Sequence, residues 1–304
     1  MEKFDVAIAY TWEYDEDFVS LLEEMFHHVQ LSTFLIKPFN VFEITERLKK
    51  RSLYFYCYLD RASDVDDSFN EIAQILTRRS VRIFNPYKLV HHAIDKASMH
   101  LEFITAGINT PYSIIIPPFN ETQQLYISLD DLAILNRPFI IKPCNTTGGG
   151  IGVVTGAESL RDVLEHRIHL NDDKYILQEK IYPQLFHKKR AWFRCFWAWG
   201  KTIPTWWDDQ THRYTILTQE DIIDFELKEL FRLTRKIARH TGLDFFSTEI
   251  VYSTKEEFVV VDYVNDQCDM RLQSKHYDGV PDDVVKYIIS RMIKAVKKQK
   301  VEHS

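Results

Sequence analysis

The chain has 304 residues, 45% hydrophobic and 27% charged, an ordinary globular balance that excludes disorder and leaves room for two or three units around sizeable cores. A formal net charge of -6 argues against a polyanion as the main partner, because phosphate backbones are bound by clusters of lysine and arginine, so no nucleic acid is expected. The four cysteines, Cys57, Cys144, Cys195 and Cys268, stand far apart with no CxxC pair, which fits reduced thiols rather than a disulfide frame or a zinc site.

The N-terminal "MEKFDVAIAY" runs straight into a strand pattern without a basic, then apolar, leader, and no apolar run approaches the roughly 20 residues that span a bilayer. A cytoplasmic protein without membrane contact is expected. Over the first ninety residues "DVAIAY", "STFLIKP", "LYFYCYLD" and "VRIFNP" read as strands, and "DEDFVSLLEEMFHHVQ", "VFEITERLKK" and "SFNEIAQILTRR" carry apolar residues at helical spacing. Strand and helix in alternation predict a small parallel sheet covered by helices.

A helical stretch, "LVHHAIDKASMHLEFITAG", follows and stops at Gly107, with Pro111 just beyond. From there the pattern predicts strands at Ser113 to Ile116, Phe139 to Lys142, Ile151 to Thr155, Tyr175 to Glu179 and Ala191 to Trp199, with a helix near Ala157 to Arg167. Glu220 to Thr241 reads as one helical segment, and "FFSTEIVY" and "FVVVDYVND" as two strands joined by "STKEE". The tail "VVKYIISRMIKAVKKQK" is an amphipathic helix with its lysines on a solvated face.

Four of the nine glycines, Gly148, Gly149, Gly150 and Gly152, fall within five positions after the apolar run "FIIKP". Their place between two strand patterns predicts a hairpin turn. No GxxxxGK[ST] is present, and GxGxxG would need a glycine at Thr155. What remains is a loop whose backbone N–H groups can converge on an anion, or else a plain flexible turn. Lys142 favours the anion, because an ammonium inside an apolar strand needs a counter-charge unless its stem carries it to the surface.

A second feature comes from the last two strands. If "STKEE" closes a hairpin with an even-length loop centred between Lys255 and Glu256, Glu249 faces Asp262. Like charges directly opposite on a sheet repel, and both stand in apolar runs; a divalent cation between them resolves the conflict, whereas on an exposed edge hairpin none is needed. Two histidine pairs, His27-His28 and His91-His92, fit metal binding poorly, since neighbours on a helix point about 100° apart. The aromatic cluster between Trp192 and Trp207 reads as sheet core on one face, with the other face free to line a pocket.

Taken in order, "IDKASMHLEFITAGINTP", "FIIKPCNTTGGGIGV", "YILQEKI", "RAWFRCFWAWGKTI", "GLDFFSTEIVY" and "VVVDYVND" resemble the ATP-grasp superfamily, above all its RimK-type and glutathione-synthetase-like carboxylate–amine ligases. The resemblance covers residues 90 to 270, and the first ninety resemble the Rossmann-like domain that precedes the grasp. It implies an α/β chain, α+β within the grasp: an N-terminal parallel-sheet domain (1–90), a grasp lobe bearing the central domain and glycine-rich flap (91–185), and a C-terminal grasp lobe (186–304).

The resemblance also implies roles. Lys96 and Lys142 match the two lysines on the ATP phosphates, and Asn145 to Gly152 the flap over them. Gln178, Glu179, Lys180 and Ile181 match the hinge that meets adenine; the carboxylate that usually follows to bind ribose has no counterpart in "YPQLFHKKR". Arg190 matches an arginine facing the transferred phosphoryl group, with Arg213 and Arg271 as further catalytic candidates. Mg²⁺ ligands are expected at Glu249, Asp262 and Asn265, although the family's Glu-x-Asn spacing is one residue longer here, so that Asn265 faces away from Asp262 unless a bulge intervenes.

The implied activity is ATP- and Mg²⁺-dependent joining of a carboxylate to an amine through an acyl phosphate, with release of ADP and phosphate. The same nucleotide machinery serves an ATP-grasp kinase acting on an alcohol or polyol, and the departures from the motif fit a protein that binds ATP without turning it over. Motifs do not constrain the carboxylate and the amine, and the sequence carries no signal for oligomeric state.

Overall fold

In a computed structural model, which describes residues 1–145 and 150–302, the first ninety residues form strands β1 (Glu2–Tyr10), β2 (Thr33–Ile36), β3 (Leu53–Arg61) and β4 (Arg82–Phe84), alternating with helices α1 (Glu16–His28), α2 (Val41–Lys49) and α3 (Asn70–Arg78). The strands pair in parallel in the order β2-β1-β3-β4, as the alternation of periods predicts. Phe18, Val19, Leu22 and Phe26 form the apolar stripe of α1 and pack with Val6, Ile8 and Cys57 on one face of the sheet; α2 and α3 cover the other with Ile44, Leu48, Ile72 and Leu76.

The helical stretch that follows is two helices, α4 (Tyr87–Ile94) and α5 (Lys96–Thr105), where the apolar spacing suggested one. Asp95 causes the break. It adopts an extended conformation and its carboxylate accepts the Ala97 N–H (3.0 Å) and the Ser98 hydroxyl (2.8 Å), capping α5 rather than continuing α4. Next come β5 (Ser113–Ile116), α6 (Leu129–Leu135), β6 (Phe139–Pro143), β7 (Val154–Ala157), α7 (Leu160–His166) and β8 (Tyr175–Glu179). These strands form an antiparallel sheet in the order β5-β8-β6-β7, in which the glycine-containing connection joins neighbours β6 and β7.

The remaining strands are β9 (Leu185–Phe186), β10 (Lys189–Arg190), β11 (Trp192–Ala198), β12 (Lys201–Trp207), β13 (Tyr214–Ile216), β14 (Phe245–Tyr252) and β15 (Phe258–Asn265). The last five form an antiparallel sheet ordered β13-β12-β11-β14-β15, while β9 and β10 pair with each other. Glu220 to Thr241 splits into α8 (Gln219–Asp224) and α9 (Lys228–Thr241), separated at Glu226, whose φ is 54°. Gly242 ends α9 in the left-handed region (φ 68°) that favours glycine.

Alternation along β11 and β14 sorts this second antiparallel sheet. Phe193, Cys195, Phe246 and Ile250 pack with Leu230, Leu233 and Ile237 of α9, while Phe196, Ala198 and Phe245 join the core of the N-terminal sheet. The final helix, α10 (Asp282–Glu302), lays Val285, Ile288, Ile289, Met292 and Val296 into that same core, and keeps Lys286, Lys294, Lys297 and Lys298 exposed. The two ends of the chain therefore share one core.

A buried ion pair fixes this junction. Arg61, at the end of β3, donates to Asp15 through Nε (2.9 Å) and Nη2 (2.8 Å), and Nη2 also donates to the Cys268 carbonyl (2.9 Å) beyond β15. Both side chains are 3% exposed. Removing one partner strands a buried charge, so Arg61→Met should destabilise the protein by about 3–5 kcal/mol in urea unfolding. A loss below about 1 kcal/mol, the range of a surface pair, would contradict the role given to it.

Candidate active site

The carboxylate pair is reached through the β14–β15 hairpin. Its turn is one residue shorter than an even loop would be: Ser253 N–H bonds to the Glu257 carbonyl (2.8 Å), and Glu256 takes a left-handed φ of 61°. Tyr252, Val251 and Ile250 accordingly face Phe258, Val259 and Val260. An irregularity between Glu249 and Ile250 then inserts a residue on β15 and brings Glu249 opposite Asp262. A second one between Ser247 and Glu249 sets Asn265 opposite Ser247, so the longer Asp262-to-Asn265 spacing is absorbed and the two residues share a face.

The same face of the neighbouring strand supplies an arginine. Arg194 on β11 stands directly across from Glu249 and forms an ion pair with its Oε1, while Trp192 Nε1 donates to Oε2 (2.9 Å). Arg194 and Glu249 are 15% and 14% exposed. The guanidinium lies 4.7 Å from the Trp207 ring centre, and its buried Nε–H has no hydrogen-bond partner among the described residues. Burial works against the Arg194 charge, but Tyr214, Glu249 and Asp262 outweigh it and hold the group above its ordinary value.

The lysines arrive from the other sheet and from α5. Lys142, on β6, donates to the Val261 carbonyl (2.9 Å), which ties the two antiparallel sheets together beside Asp262. Burial pulls the Lys142 ammonium below its ordinary value; Asp262 and Glu249 oppose this, and Lys96 adds to it. Lys96 opens α5, with its N–H donating to the Cys144 carbonyl at the end of β6 (3.0 Å). Burial alone would raise the Asp262 carboxyl, but Lys142, Lys96, Arg194 and the Tyr263 N–H leave it below the usual carboxylate range.

These cations revise the expectation that Glu249 and Asp262 repel each other unrelieved. The protein's own guanidinium and ammonium groups neutralise the pair. The donor set still suits a hard cation, since two carboxylates and one amide oxygen lie on a shared face, and Mg²⁺ completes its octahedron with water and phosphate oxygens. Among the described residues no group of three or more His, Cys, Asp or Glu side chains has metal-binding geometry.

Further along the face, Val251, Val259 and Val261 form an apolar patch with Ile181 and Trp192. Against it lies the segment Gln178 to Ile181 at the end of β8. Gln178 is 2% exposed and its amide is engaged inward, the Glu179 N–H donates to the Tyr112 carbonyl (2.9 Å), and Lys180 Nζ donates to the Thr155 carbonyl (3.3 Å). Glu179 to Tyr182 line a recess of about 70 Å³ together with Asn109, Thr110, Ser253 to Lys255, Glu257 and Val259. A larger groove of about 700 Å³ between α1 and α10 contains none of the candidate residues.

Other candidates lie elsewhere or have other partners. Gly148 and Gly149 are outside the described residues. Gly150 (φ 68°) has open space where a Cβ would stand, whereas a Cβ on Gly152 (φ 71°) would press on Pro143 at 3.3 Å. Asn145, where the loop begins, is held by Asp173 through its N–H (3.0 Å) and its amide (2.8 Å). Arg190 is bound by Asp209 at 2.6 and 2.9 Å. Arg271 pairs with Asp269 and Asp278, and Arg213 lies 5.1 Å from the Tyr277 ring centre. The arginine beside the carboxylates, Arg194, is one that motif matching passed over. Its signal was available: in "WFRCFW" it shares alternation with Trp192, facing Glu249 once β11 pairs with β14.

No family model and no curated protein matches the sequence. The fold, by contrast, has many solved counterparts. The chain is similar to a RimK domain ATP-grasp protein from Sphaerobacter thermophilus (18% identity, TM-score 0.63, covering 94% of this chain and 98% of that one). It is similar to D-alanine–D-alanine ligase from Bacillus anthracis, solved with ATP (14%, 0.63, 97% and 99%). It also matches the ATP-grasp ligase PsnB, solved with a minimal precursor, Mg and ADP (12%, 0.59, 94% and 98%). The chain thus has the ATP-grasp fold over nearly its whole length.

Asp262 gives a prediction whose sign follows from its charge environment. A carboxyl held below its unfolded-state value contributes stability that is complete above that value and is lost as pH falls through the folded one. Asp262→Asn should therefore lower the stability of the nucleotide-free protein at pH 7 by about 1–3 kcal/mol, and the gap from wild type should close below about pH 4. Urea unfolding at several pH values checks this; a variant as stable as wild type at pH 7 would restore the simple repulsion picture.

Proposed function

We propose that the protein is an ATP- and Mg²⁺-dependent ligase that joins a carboxylate to an amine. The observation that carries this reading is the gathering of Lys96, Lys142 and Arg194 around Glu249 and Asp262, on a face that continues into an apolar patch beside the Gln178–Ile181 segment. Nucleotide-bound neighbours of the same fold support it.

In this reading adenine rests on Val251, Val259 and Val261 against residues 179–181, and the triphosphate runs toward Lys142 and Lys96. Glu249 and Asp262, with Asn265 on the same face, would hold Mg²⁺, which would supply neutralisation of phosphate charge. The lysines hold the β- and γ-phosphates in a partly water-excluded site, where their charge acts at full strength. Arg194, held by Glu249 and the Trp207 ring, adds a fixed positive charge beside the phosphates. Transfer of the γ-phosphoryl group to a carboxylate oxygen leaves ADP and an acyl phosphate. An amine then attacks the acyl carbon, and phosphate departs as the amine loses its proton. Arg190 is retained as the proposed arginine facing the transferred phosphoryl group, with Arg213 and Arg271 as further catalytic candidates.

A trapping experiment tests this without knowledge of the natural amine. The protein is incubated with Mg-ATP, hydroxylamine and separate pools of carboxylates (amino acids, dipeptides and aliphatic dicarboxylates) and of alcohols (sugars and polyols without a carboxylate). The ligase reading expects ADP and phosphate to form only with a carboxylate pool, together with the corresponding hydroxamate. A stable phosphorylated alcohol would instead identify a kinase, and tight ATP binding with no ADP from any pool would identify a binding protein.

A further inference from the structure

Behind the candidate site lies a polar group of three buried side chains, Tyr263, His100 and Gln178, with the half-buried Ser113 at its edge. Tyr263 follows Asp262 on β15; its hydroxyl lies 2.6 Å from His100 Nδ1 and accepts from Gln178 Nε2 at 2.8 Å. Gln178 Nε2 also donates to the Ser113 hydroxyl at 3.1 Å. Exposure is 4% for His100, 2% for Gln178 and 2% for Tyr263, so the bonds among these three do not exchange readily with water. The His100 ring is stacked on Tyr263 (5.9 Å between centroids, 21° between planes), and Phe103 meets the same ring edge-on at 5.2 Å.

The position of this group is what distinguishes it from ordinary core polarity. Gln178 is the first residue of the segment matched to adenine, with its side-chain amide turned inward. His100 lies one helical turn after Lys96, on the same side of α5. Tyr263 is the next residue after Asp262. One hydroxyl thus joins the three elements that carry the base, phosphate and metal ends of the proposed nucleotide site. A tyrosine hydroxyl has one proton and accepts as well as donates. Accepting from Gln178 and donating to Nδ1 satisfies both partners and requires His100 to be neutral, the state that burial favours.

We propose that Tyr263, through Gln178 and His100, is a positioning residue that couples base binding to the placement of Lys96 and Asp262 on the phosphates and metal. The proposal rests on the nucleotide-site reading above. Tyr263→Phe removes only the hydroxyl and keeps both ring contacts. With the link cut, base and phosphate ends are no longer held in one register, and Mg-ATP binding weakens although no residue touching the nucleotide has changed.

Calorimetric titration of Mg-ATP into the full chain, with thermal melts in parallel, tests the proposal. Tyr263→Phe should raise Kd roughly 3- to 30-fold, the range that coupling through a packed network carries. His100→Asn, which keeps an acceptor near the Nδ1 position, should stay close to wild type, and His100→Leu should reproduce the Tyr263→Phe loss. A folded Tyr263→Phe with wild-type Kd, or a lower melting temperature with unchanged Kd, would overturn the coupling and leave the group structural. Equal losses in His100→Asn and His100→Leu would overturn it as well, and that pair decides the matter if Tyr263→Phe fails to fold. Wild-type protein that binds no Mg-ATP would instead remove the nucleotide site itself.

Discussion

Lys142 stands in an apolar strand, and its ammonium meets one carbonyl, that of Val261, and the negative charge of Asp262. An ammonium so placed is costly without negative charge nearby, and the two antiparallel sheets must approach closely enough to provide it. That requirement sets much of the rest. It needs β15 at the edge facing β6, and Asp262 turned toward the lysine. Arg194 then balances the second carboxylate, Glu249, and Lys96 adds its charge beside Asp262, so that three cations face two carboxylates. What results is a strongly charged and partly buried region in which the buried Arg194 Nε–H has no partner among the described residues. Such a region suits a polyanion with its own metal better than it suits water.

The fold keeps this surface in place from both sides. The Phe196 and Phe245 end of the face is sealed by the N-terminal sheet and α10, which share one core, and the Val251 end is left as an apolar patch beside the end of β8. Polar chemistry is thus confined to the middle of one sheet face. The N-terminal sheet is anchored to the segment after β15 by the Arg61–Asp15 pair and its bond to the Cys268 carbonyl.

Sequence patterns revealed the element types because strand and helix periods differ plainly in apolar runs such as "DVAIAY" and "NEIAQILTR". They failed where one side chain decides the backbone. The break between α4 and α5 depends on Asp95 choosing to cap rather than continue, and apolar spacing is blind to that choice. The Glu249–Asp262 pairing was legible, yet for an incomplete reason: the turn is odd-length and an irregularity restores the register. A second irregularity brings Asn265 onto the shared face, which no residue-by-residue count reveals. Arg194 was hidden by its nearness to Arg190 in the same motif; only pairing with β14 separates the two. Tyr263, Gln178 and His100 are 163 positions apart at their widest, and nothing local in the sequence joins them.

The central claim is that Lys142 sits where it does to meet nucleotide phosphate. Calorimetric titration of Mg-ATP into Lys142→Met tests it most directly, because methionine keeps the apolar stem and removes only the charge. The account predicts an unchanged far-ultraviolet circular dichroism spectrum and a loss of roughly 1.5–3 kcal/mol in binding free energy, the value of a charge-assisted hydrogen bond. A folded Lys142→Met that binds Mg-ATP as tightly as wild type would contradict it.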